Sequence, residues 1–204
     1  APVVCCNGAY IGTEKGTPVF ARYFDTALVR EFLTFVYDRH WYVNWYIGTE
    51  IYAPEYRPEY FTAYRTTADF VVTAVGNDYL RYTENVPQFV LRNLDDGIGG
   101  CLRAVQEHFG DQIVPQQNTG TSLDINPPGV SKAVGVQALA DAMGLCLDEV
   151  MVAGDADNDY EMLEMGAFSV VPENGRPKAK ERARYVTASN DADGIAAAIE
   201  KFVL

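Results

Sequence analysis

The sequence predicts an α/β protein with a parallel sheet at its C-terminal end, and three observations support this fold class. Short apolar runs alternate with helical patterns over 127–204, and this βαβα order is typical of a parallel sheet. Strand-like runs mixed with two helical patterns fill 12–126, as in an α+β domain. With 204 residues and 48% hydrophobic content, the chain is long enough to bury the cores of one or two domains.

The first and middle zones contain short strands and two helices. The stretch PVVCC at 2–6 predicts a buried strand that ends at the turn dipeptide Asn7-Gly8. In the middle zone Asp25 and Thr26 can cap a helix, because apolar residues follow them at helical spacing. The other elements predicted there are strands at 42–52, 70–75 and 88–94, a helix at 98–109, and two short strands that end at Ile125.

Helices and strands alternate in the last zone. Ser131 can cap a helix that runs to about Met143, and a buried strand is predicted at 149–153. The elements that follow are a helix at 158–165, a strand at 168–171, a helix at 177–183, a strand at 185–187 and a helix at 193–202. Because ligands of open parallel sheets bind beyond the carboxyl ends of the strands, functional residues are expected directly after the strand at 149–153.

An acidic cluster, GDADND, follows that strand. Asp155, Asp157 and Asp159 lie within five positions, and carboxylates so close repel one another unless a cation lies among them. Oxygen ligands between a strand and a helix N-terminus suit a hard cation such as Mg²⁺. An EF-hand does not fit, because its sixth position would be Tyr160 instead of glycine. Helix capping with solvated charge is the alternative explanation.

A lysine occupies the first turn of the helix that Ser131 caps. A cation at this position is unfavourable without an anion to meet it, because the N-terminus of a helix carries partial positive charge. A phosphate in the crevice would satisfy both Lys132 and a metal ion at the acidic cluster. A solvated lysine on a flexible stem is the alternative.

Two long stretches resemble the C-terminal half of Cof-type phosphatases of the haloacid dehalogenase (HAD) superfamily: SLDINPPGVSKAVGVQALADAMGL and EVMVAGDADNDYEMLEMGAFSVVPENGRPKAKERARYVTASNDADGIAAAIEKF. CCNGAYI is similar to the segment that leads from that family's core into its cap. The motifs G-V-S-K and G-D-x-x-N-D-x-x-M, Asn174 and a D-G helix start follow in the family's order. The resemblance implies a HAD-like Rossmannoid core at 1–11 and 127–204, and a large α+β cap domain for substrate selection at 12–126.

The resemblance also implies an activity and four site residues. The activity is Mg²⁺-dependent hydrolysis of a small phosphate monoester, a sugar phosphate or a similar compound, through an aspartyl-phosphate intermediate. Lys132 would bind the phosphoryl group and offset its charge, and Asp155 would be a direct metal ligand, so both are expected to be catalytic. Asn158 would lie beside the transferred phosphate, and Asp159 would support the metal, often through water.

One motif of the family does not occur at the end of an apolar strand among the 204 residues: the D-x-D-G-T-like sequence that carries the nucleophile. The D-G sequences Asp96-Gly97 and Asp193-Gly194 do not stand at such a position. We therefore expect the chain to be part of a longer polypeptide and to be inactive alone. A missing N-terminal segment or a swapped chain would complete the core sheet. In the family's topology the strand at 2–6 would then lack a sheet neighbour, and the strand at 149–153 would have an unpaired edge.

Other classes of function stay open or are disfavoured. A non-catalytic phosphate- or metal-binding relative of the family would keep the same acidic loop without a nucleophile, and an inactive fragment is a related possibility. A receiver-like signalling domain also combines aspartates and a lysine on a parallel sheet. It fits less well, because it needs no cap of about a hundred residues and has its lysine elsewhere in a smaller fold.

The charge and the composition limit which classes of binding partner are expected. The net charge of −12 argues against a nucleic-acid binder, because affinity for phosphate backbones comes largely from Lys and Arg. No apolar stretch approaches the roughly 20 residues of a membrane helix. The four cysteines lack zinc or redox spacing and are expected to be buried, reduced thiols. We predict a cytoplasmic protein whose partner is a small-molecule phosphate ester, with no nucleic acid and no membrane.

Overall fold

The computed structural model describes residues 1–13, 17–64, 71–92, 97–119 and 121–204. Contacts divide the chain into two compact units. We call Ala1–Thr13 together with Gly129–Leu204 the discontinuous unit, and Glu14–Pro128 the inserted unit. The chain therefore leaves the discontinuous unit once, forms the inserted unit, and returns.

A β-hairpin opens the chain. Strand β1 (Val3–Cys5) pairs antiparallel with strand β2 (Tyr10–Gly12). Asn7 and Gly8 turn the chain between the two strands, with φ angles of 53° and 94°. The predicted turn is confirmed, but two other expectations for this strand are wrong. β1 has a sheet neighbour in β2, and it is not a buried strand, because Val3 is 59% exposed.

The inserted unit contains a six-stranded mixed sheet. In chain order its elements are β3 (Phe20–Ala21), α1 (Thr26–Asp38), β4 (Tyr42–Ile47), β5 (Glu50–Ala53), β6 (Val72–Ala74), β7 (Phe89–Arg92), α2 (Gly97–Phe109), β8 (Val114–Thr119) and β9 (Ser122–Asn126). The strand order of the sheet is β6-β5-β4-β7-β9-β8, and β5 and β6 are parallel whereas the other neighbours are antiparallel. This combination of strands and helices is the α+β arrangement that the sequence predicts.

Local sequence explains most boundaries of the inserted unit. Helix α1 begins after Asp25 because the side chain of Asp25 accepts a hydrogen bond from the backbone N–H of Ala27 at 2.8 Å. The predicted single strand at 42–52 is wrong, since the chain turns at Gly48 with a φ of 59° and forms two antiparallel strands. The predicted strands at 70–75 and 88–94 correspond to β6 and β7, and residues 70, 93 and 94 lie outside the described residues.

Helices α1 and α2 cover one face of the six-stranded sheet. The buried cluster on this face contains Phe32, Val36, Val105 and Phe109 from the helices, and Val43, Trp45, Phe89, Leu91, Leu123 and Ile125 from the strands. These side chains alternate along each strand with residues that lie on the opposite face. That opposite face carries a second, smaller apolar cluster of Tyr42, Ile51, Ala53 and Phe61, beside buried polar side chains.

The rest of the discontinuous unit contains a parallel three-stranded sheet. Its elements are α3 (Lys132–Met143), β10 (Met151–Ala153), α4 (Tyr160–Glu164), β11 (Phe168–Pro172), α5 (Pro177–Arg182), β12 (Tyr185–Thr187) and α6 (Gly194–Phe202). The strand order is β10-β11-β12, and both neighbouring pairs are parallel. The predicted parallel sheet is confirmed. Among the described residues β10 is an edge strand of this sheet, as expected.

Two boundaries of this unit differ from the sequence prediction. Strand β10 begins at Met151 instead of 149, because Leu147–Glu149 form a 3₁₀ turn. The backbone N–H of Cys146 donates to the Glu149 side chain at 2.9 Å and stabilises that turn. The helix predicted at 158–165 is shorter, since a second 3₁₀ turn precedes α4.

Two expectations from composition have different outcomes. All four cysteines are free, but only Cys101 is buried, whereas Cys5 and Cys146 are exposed and Cys6 is half-buried. The predicted burial is therefore wrong for most of the thiols. Over the described ranges, no helix combines the length and the apolar character that crossing a membrane would require.

The turn of the first hairpin packs directly against the start of α3. A Cβ atom on Gly8 would lie 2.1 Å from the carbonyl oxygen of Ser131. A Cβ atom on Gly135 would lie 2.6 Å from the Cα atom of Gly8. Ser131 caps the helix as predicted, with its hydroxyl oxygen accepting a hydrogen bond from the N–H of Val134 at 3.3 Å. Glycine at both positions therefore fixes where α3, and with it Lys132, begins.

We expect Gly8→Ala to destabilise the discontinuous unit, because it adds a backbone clash to an unfavourable positive φ. The free energy of unfolding, measured by urea titration with circular dichroism, should fall by roughly 3 kcal/mol or more. Gly144→Ala is the matched control: its φ is 69°, but a Cβ atom there meets nothing within 4 Å. This control should lose only about 1–2 kcal/mol. Equal losses in the two variants would contradict the proposed contact.

Candidate active site

The acidic cluster forms the loop that leaves β10. Gly154 and Asp155 follow the strand, and Asp157–Asp159 form a 3₁₀ turn that leads into α4. The loop therefore lies at the carboxyl end of a parallel strand, where the sequence places it. Its acidic residues differ in burial: Asp155 and Asp157 are exposed, whereas Asp159 is only 2% exposed.

The carboxylate of Asp159 joins the loop to α3. One of its oxygens, Oδ2, accepts hydrogen bonds from the backbone N–H groups of Asp155 at 2.8 Å and Ala156 at 3.0 Å. The other oxygen, Oδ1, lies 2.5 Å from Nζ of Lys132. A buried carboxylate needs such partners, because desolvation without them is costly. Asp159 is therefore a structural link as well as a predicted metal-site residue.

Glycine at position 154 allows this link to form. A Cβ atom on Gly154 would lie 2.5 Å from Cβ and 2.6 Å from Cγ of Asp159. No side chain fits at that distance, so the Asp159 carboxylate can turn back to the strand end only because residue 154 lacks a Cβ atom. The glycine that opens the G-D-x-x-N-D motif is therefore needed for a steric reason.

The carboxylate of Asp157 has a separate set of partners. Its Oδ2 lies 2.5 Å from Nη1 of Arg176, and both side chains are 61% exposed. Its Oδ1 accepts a hydrogen bond from the hydroxyl of Tyr160, and this bond raises the pKa of Tyr160. The backbone N–H of Arg176 also donates to the carbonyl of Asp155 at 2.9 Å. The turn after β11 therefore also binds the acidic loop and stabilises it, in addition to the contact with Lys132.

The repulsion among the three aspartates is thus relieved largely within the chain. Lys132 meets Asp159, and Arg176 meets Asp157. Asp155 differs, because no ion pair or hydrogen bond to its carboxylate occurs among the described residues. It is the exposed carboxylate of the cluster whose charge is still open to a cation from solution.

All four predicted site residues lie in the discontinuous unit, but they are not all bonded to one another. Lys132 and Asp159 touch directly, and Asp159 holds the backbone of Asp155. Asn158 lies half-buried in the 3₁₀ turn, and among the described residues its side chain forms no hydrogen bond with the other three. The anion that meets Lys132 here is Asp159, which differs from the phosphate that the sequence argument expects. The assigned roles themselves stay predictions.

The donor set fits a hard cation only in part. Carboxylate oxygens are suitable ligands for Mg²⁺, and Asp155 and Asp159 supply them. However, the described ranges bring together no group of three or more His, Cys, Asp or Glu side chains that could hold a metal ion. Both oxygens of Asp159 also have protein partners. These residues would therefore provide part of a coordination shell, with water or other ligands completing it.

Sequence reasoning did not identify Arg176 or Gly175 as part of this site. A Cβ atom on Gly175 would lie 2.7 Å from Cγ1 of Val171 and 3.5 Å from Cα of Asp155, so the turn after β11 closes tightly against the loop. The sequence does indicate this turn, because Gly-Arg before Pro177 is typical of a sharp turn that precedes a helix. Its nearness to the acidic loop depends on the pairing of β10 with β11.

A family model for haloacid dehalogenase-like hydrolases matches residues 1–199. The chain belongs to this family. The resemblance that the sequence motifs indicate is therefore confirmed, and the parallel-sheet fold agrees with the family's solved structures. A haloacid dehalogenase-like hydrolase from Bacillus subtilis superposes with a TM-score of 0.78 at 20% identity, over 100% of this chain and 80% of that one. At this identity the likeness shows the fold alone.

Two curated relatives are similar in sequence. The 5-amino-6-(5-phospho-D-ribitylamino)uracil phosphatase of Escherichia coli is 35% identical over 114 residues, which are 56% of this chain and 42% of the relative. A phosphoglycolate phosphatase of Methanothermobacter thermautotrophicus is 33% identical over 99 residues, or 48% of this chain and 45% of the relative. The matched residues span less than half the length of these two proteins.

We expect Asp159→Asn to weaken the discontinuous unit, because it breaks the contact with Lys132 and leaves buried polar groups poorly paired. The free energy of unfolding should fall by about 1–3 kcal/mol in a urea titration. Asp157→Asn is the control in the same loop, and its exposed ion pair should contribute about 1 kcal/mol or less. If Asp157→Asn lowered the free energy of unfolding more than Asp159→Asn, burial of the carboxylate would not be what determines the loss of stability.

Proposed function

We propose that the protein is a Mg²⁺-dependent phosphatase of small phosphate monoesters, such as a sugar phosphate, with its site at the carboxyl end of β10. The observation that carries this proposal is the exposed Asp155 carboxylate. It lies two residues after the end of β10, and it is the aspartate of the cluster without a positive partner among the described residues. A cation bound there would complete the charge balance of the loop.

Asp155 would ligate the metal directly, and Asp159 would support it through water. Their oxygens suit Mg²⁺, which keeps several waters in its coordination shell when it binds to one or two carboxylates. When bound, Mg²⁺ would supply charge neutralisation between a phosphate and an attacking carboxylate. The hydrogen bonds from the backbone of Asp155 and Ala156 to Asp159 would keep the two carboxylates in fixed relation.

Lys132 and Asn158 would bind the phosphoryl group. An ammonium group has three N–H donors, and Asp159 accepts from one of them, so two remain for phosphate oxygens. The Lys132 side chain is 34% exposed, which leaves its ammonium accessible. Asn158 would donate from its side-chain amide. Asp159 would thereby act as a positioning residue that holds the lysine at the helix start.

The reaction would follow the two-step course of the family. A carboxylate oxygen attacks phosphorus, the P–O ester bond breaks, and the leaving oxygen takes a proton from water to form the alcohol. Water then hydrolyses the acyl phosphate, which releases phosphate and a proton and regenerates the carboxylate. No D-x-D-G-T-like motif that could supply this carboxylate ends an apolar strand among the 204 residues. A longer polypeptide or a swapped chain would provide it. The relatives' names, which describe phosphatases of small phosphate esters, support this substrate class.

A non-catalytic metal- or phosphate-binding role is the second candidate. The observation that favours it is the same lack of a nucleophile motif in this sequence. The metal-binding form of this role requires a cation at Asp155, as the phosphatase does, but only the phosphatase requires turnover. Binding and turnover should therefore be measured separately.

We expect Asp155→Asn to weaken metal binding in this chain. Titration with Mn²⁺, a paramagnetic substitute for Mg²⁺, should broaden the amide signals of the loop that contains Asp155 in a ¹⁵N-labelled sample, and excess Mg²⁺ should reverse the effect. The variant should need at least about tenfold more Mn²⁺, the scale seen when a metal site loses a supporting group. Asp157→Asn, which changes the neighbouring carboxylate, should behave like the unmodified protein. Broadening that Asp155→Asn leaves unchanged would refute the metal assignment.

We also expect Asp155→Asn to lower turnover of a generic phosphate ester in the complete polypeptide by on the order of a hundredfold. Lys132→Ala should reduce turnover too, because the phosphoryl oxygens lose a cation. Metal binding without any turnover in the unmodified complete polypeptide would favour the non-catalytic candidate.

A further inference from the structure

Two cysteines stand side by side in the first hairpin, and neither takes part in the proposed phosphatase chemistry. Cys5 ends β1 and is exposed, whereas Cys6 opens the turn and is half-buried. Both thiols are free. Among the described residues the Cys5 thiol makes only a weak hydrogen bond, to the carbonyl of Val3 at 3.7 Å. A small reagent in solution can therefore reach this thiol, and little holds its side chain in place.

The backbone directs both side chains to one side of the peptide bond that joins them. In an extended strand, neighbouring side chains lie on opposite faces. Cys5 is extended, with a φ of −127° and a ψ of 173°, but Cys6 has a φ of 53°, in the left-handed region. Compared with an extended residue, this positive φ rotates the Cβ atom of Cys6 to the other side of the peptide plane. The alternation is cancelled, so the two side chains leave the peptide on the same side.

A disulfide between these two residues would be labile. The peptide bond that joins them is trans, so their Cα atoms lie about 3.8 Å apart. Most disulfides join Cα atoms that are about 4.4–6.8 Å apart, and a departure from this range stores strain that makes the bond easier to reduce. Strained or exposed disulfides are typically the regulatory ones. The adjacent thiols therefore suit reversible oxidation better than a permanent crosslink.

The pair is held between two contacts with α3. Gly8 lies just after the pair, and a Cβ atom on it would lie 2.1 Å from the carbonyl oxygen of Ser131. Val4 lies just before the pair, and its Cγ1 would lie 2.7 Å from a Cβ atom on Gly135. Closing a disulfide ring changes the backbone torsions between these contacts. Because neither contact has free space, such a change shifts the start of α3, which carries Lys132.

We propose that Cys5 and Cys6 are a reversible oxidation site, at which a peroxide converts the two thiols into a vicinal disulfide and displaces the start of α3. One thiol reacts with hydrogen peroxide to give a sulfenic acid and water. The sulfur of the second thiol then attacks the first sulfur, and the hydroxyl group leaves with the thiol proton as a second water. Two electrons pass from the pair to the peroxide. Only an effect on turnover would rest on the proposed phosphatase function.

The oxidation should be faster at alkaline than at neutral pH. Burial of part of the side chain raises the pKa of the Cys5 thiol above its ordinary value, although the residue as a whole is exposed. The thiolate is the nucleophile, and its fraction increases as the pH rises toward this pKa.

Mass spectrometry of the unmodified 204-residue chain tests the site. Dilute protein would be treated with hydrogen peroxide, the remaining thiols alkylated, and the tryptic peptides analysed before and after reduction with dithiothreitol. We expect the N-terminal peptide to lose two hydrogen atoms, to resist alkylation, and to recover both thiols on reduction. Disulfides between two chains, or added oxygen without an internal disulfide, would overturn the proposed site.

Variants provide the matched controls. Cys6→Ser removes one partner, so its N-terminal peptide should form no internal disulfide. Cys146→Ser removes an exposed thiol outside the pair and should leave the yield of the vicinal disulfide unchanged. Should Cys6→Ser not fold, the peptide masses of the unmodified chain still decide.

Amide signals of a ¹⁵N-labelled sample test the coupling to α3. We expect oxidation to shift the signals of Lys132 and Gly135, whereas the side-chain N–H signal of Trp45, in the core of the inserted unit, should not move. A vicinal disulfide that leaves Lys132 and Gly135 unshifted would overturn the coupling. The readouts involve neither Mn²⁺ broadening at Asp155 nor turnover, so failure here is distinguishable from failure of the proposed phosphatase function.

Discussion

The organisation of the candidate active site depends on one buried carboxylate. Asp159 binds the backbone N–H groups at the start of the acidic loop with one oxygen and Lys132 with the other. Burial makes these contacts obligatory, because an unpaired carboxylate away from water is costly. The same contacts connect the end of β10 to the first turn of α3. A strand, a loop and a helix are thereby fixed around a single side chain.

Close backbone approaches make that arrangement possible. Gly154 leaves room for the Asp159 carboxylate, and Gly8 with Gly135 lets the first hairpin turn touch the start of α3. The contact at Gly154 fixes Asp159, and the contact of Gly8 with Gly135 fixes the start of the helix that carries Lys132. Glycines far apart in sequence therefore serve one purpose, which is to fix the relative position of a cation and an acidic loop. Such positioning matters for phosphate chemistry, where a site works mainly by geometry and charge.

Much of the fold follows from local sequence. The caps at Asp25 and Ser131, and the turn at Asn7-Gly8, were predictable because each depends on neighbouring residues alone. The βαβ rhythm of the last zone likewise predicted the parallel sheet. The errors have physical causes of their own. Gly48 splits an apolar run into two strands through a positive φ, and β1 finds an antiparallel partner in β2, which periodicity does not reveal.

The sequence by itself determined which residues form the candidate site, because the motifs around Lys132, Asp155, Asn158 and Asp159 carry the family's pattern. Only the tertiary structure decided how charge is distributed among them. Ion pairs depend on distances between residues remote in sequence, and these distances follow from strand pairing and helix packing. Hence Lys132 meets Asp159 and Asp155 is left open to a cation. The hydrogen bond from Arg92 to Asn44 has the same origin, since it joins residues 48 positions apart on two neighbouring strands.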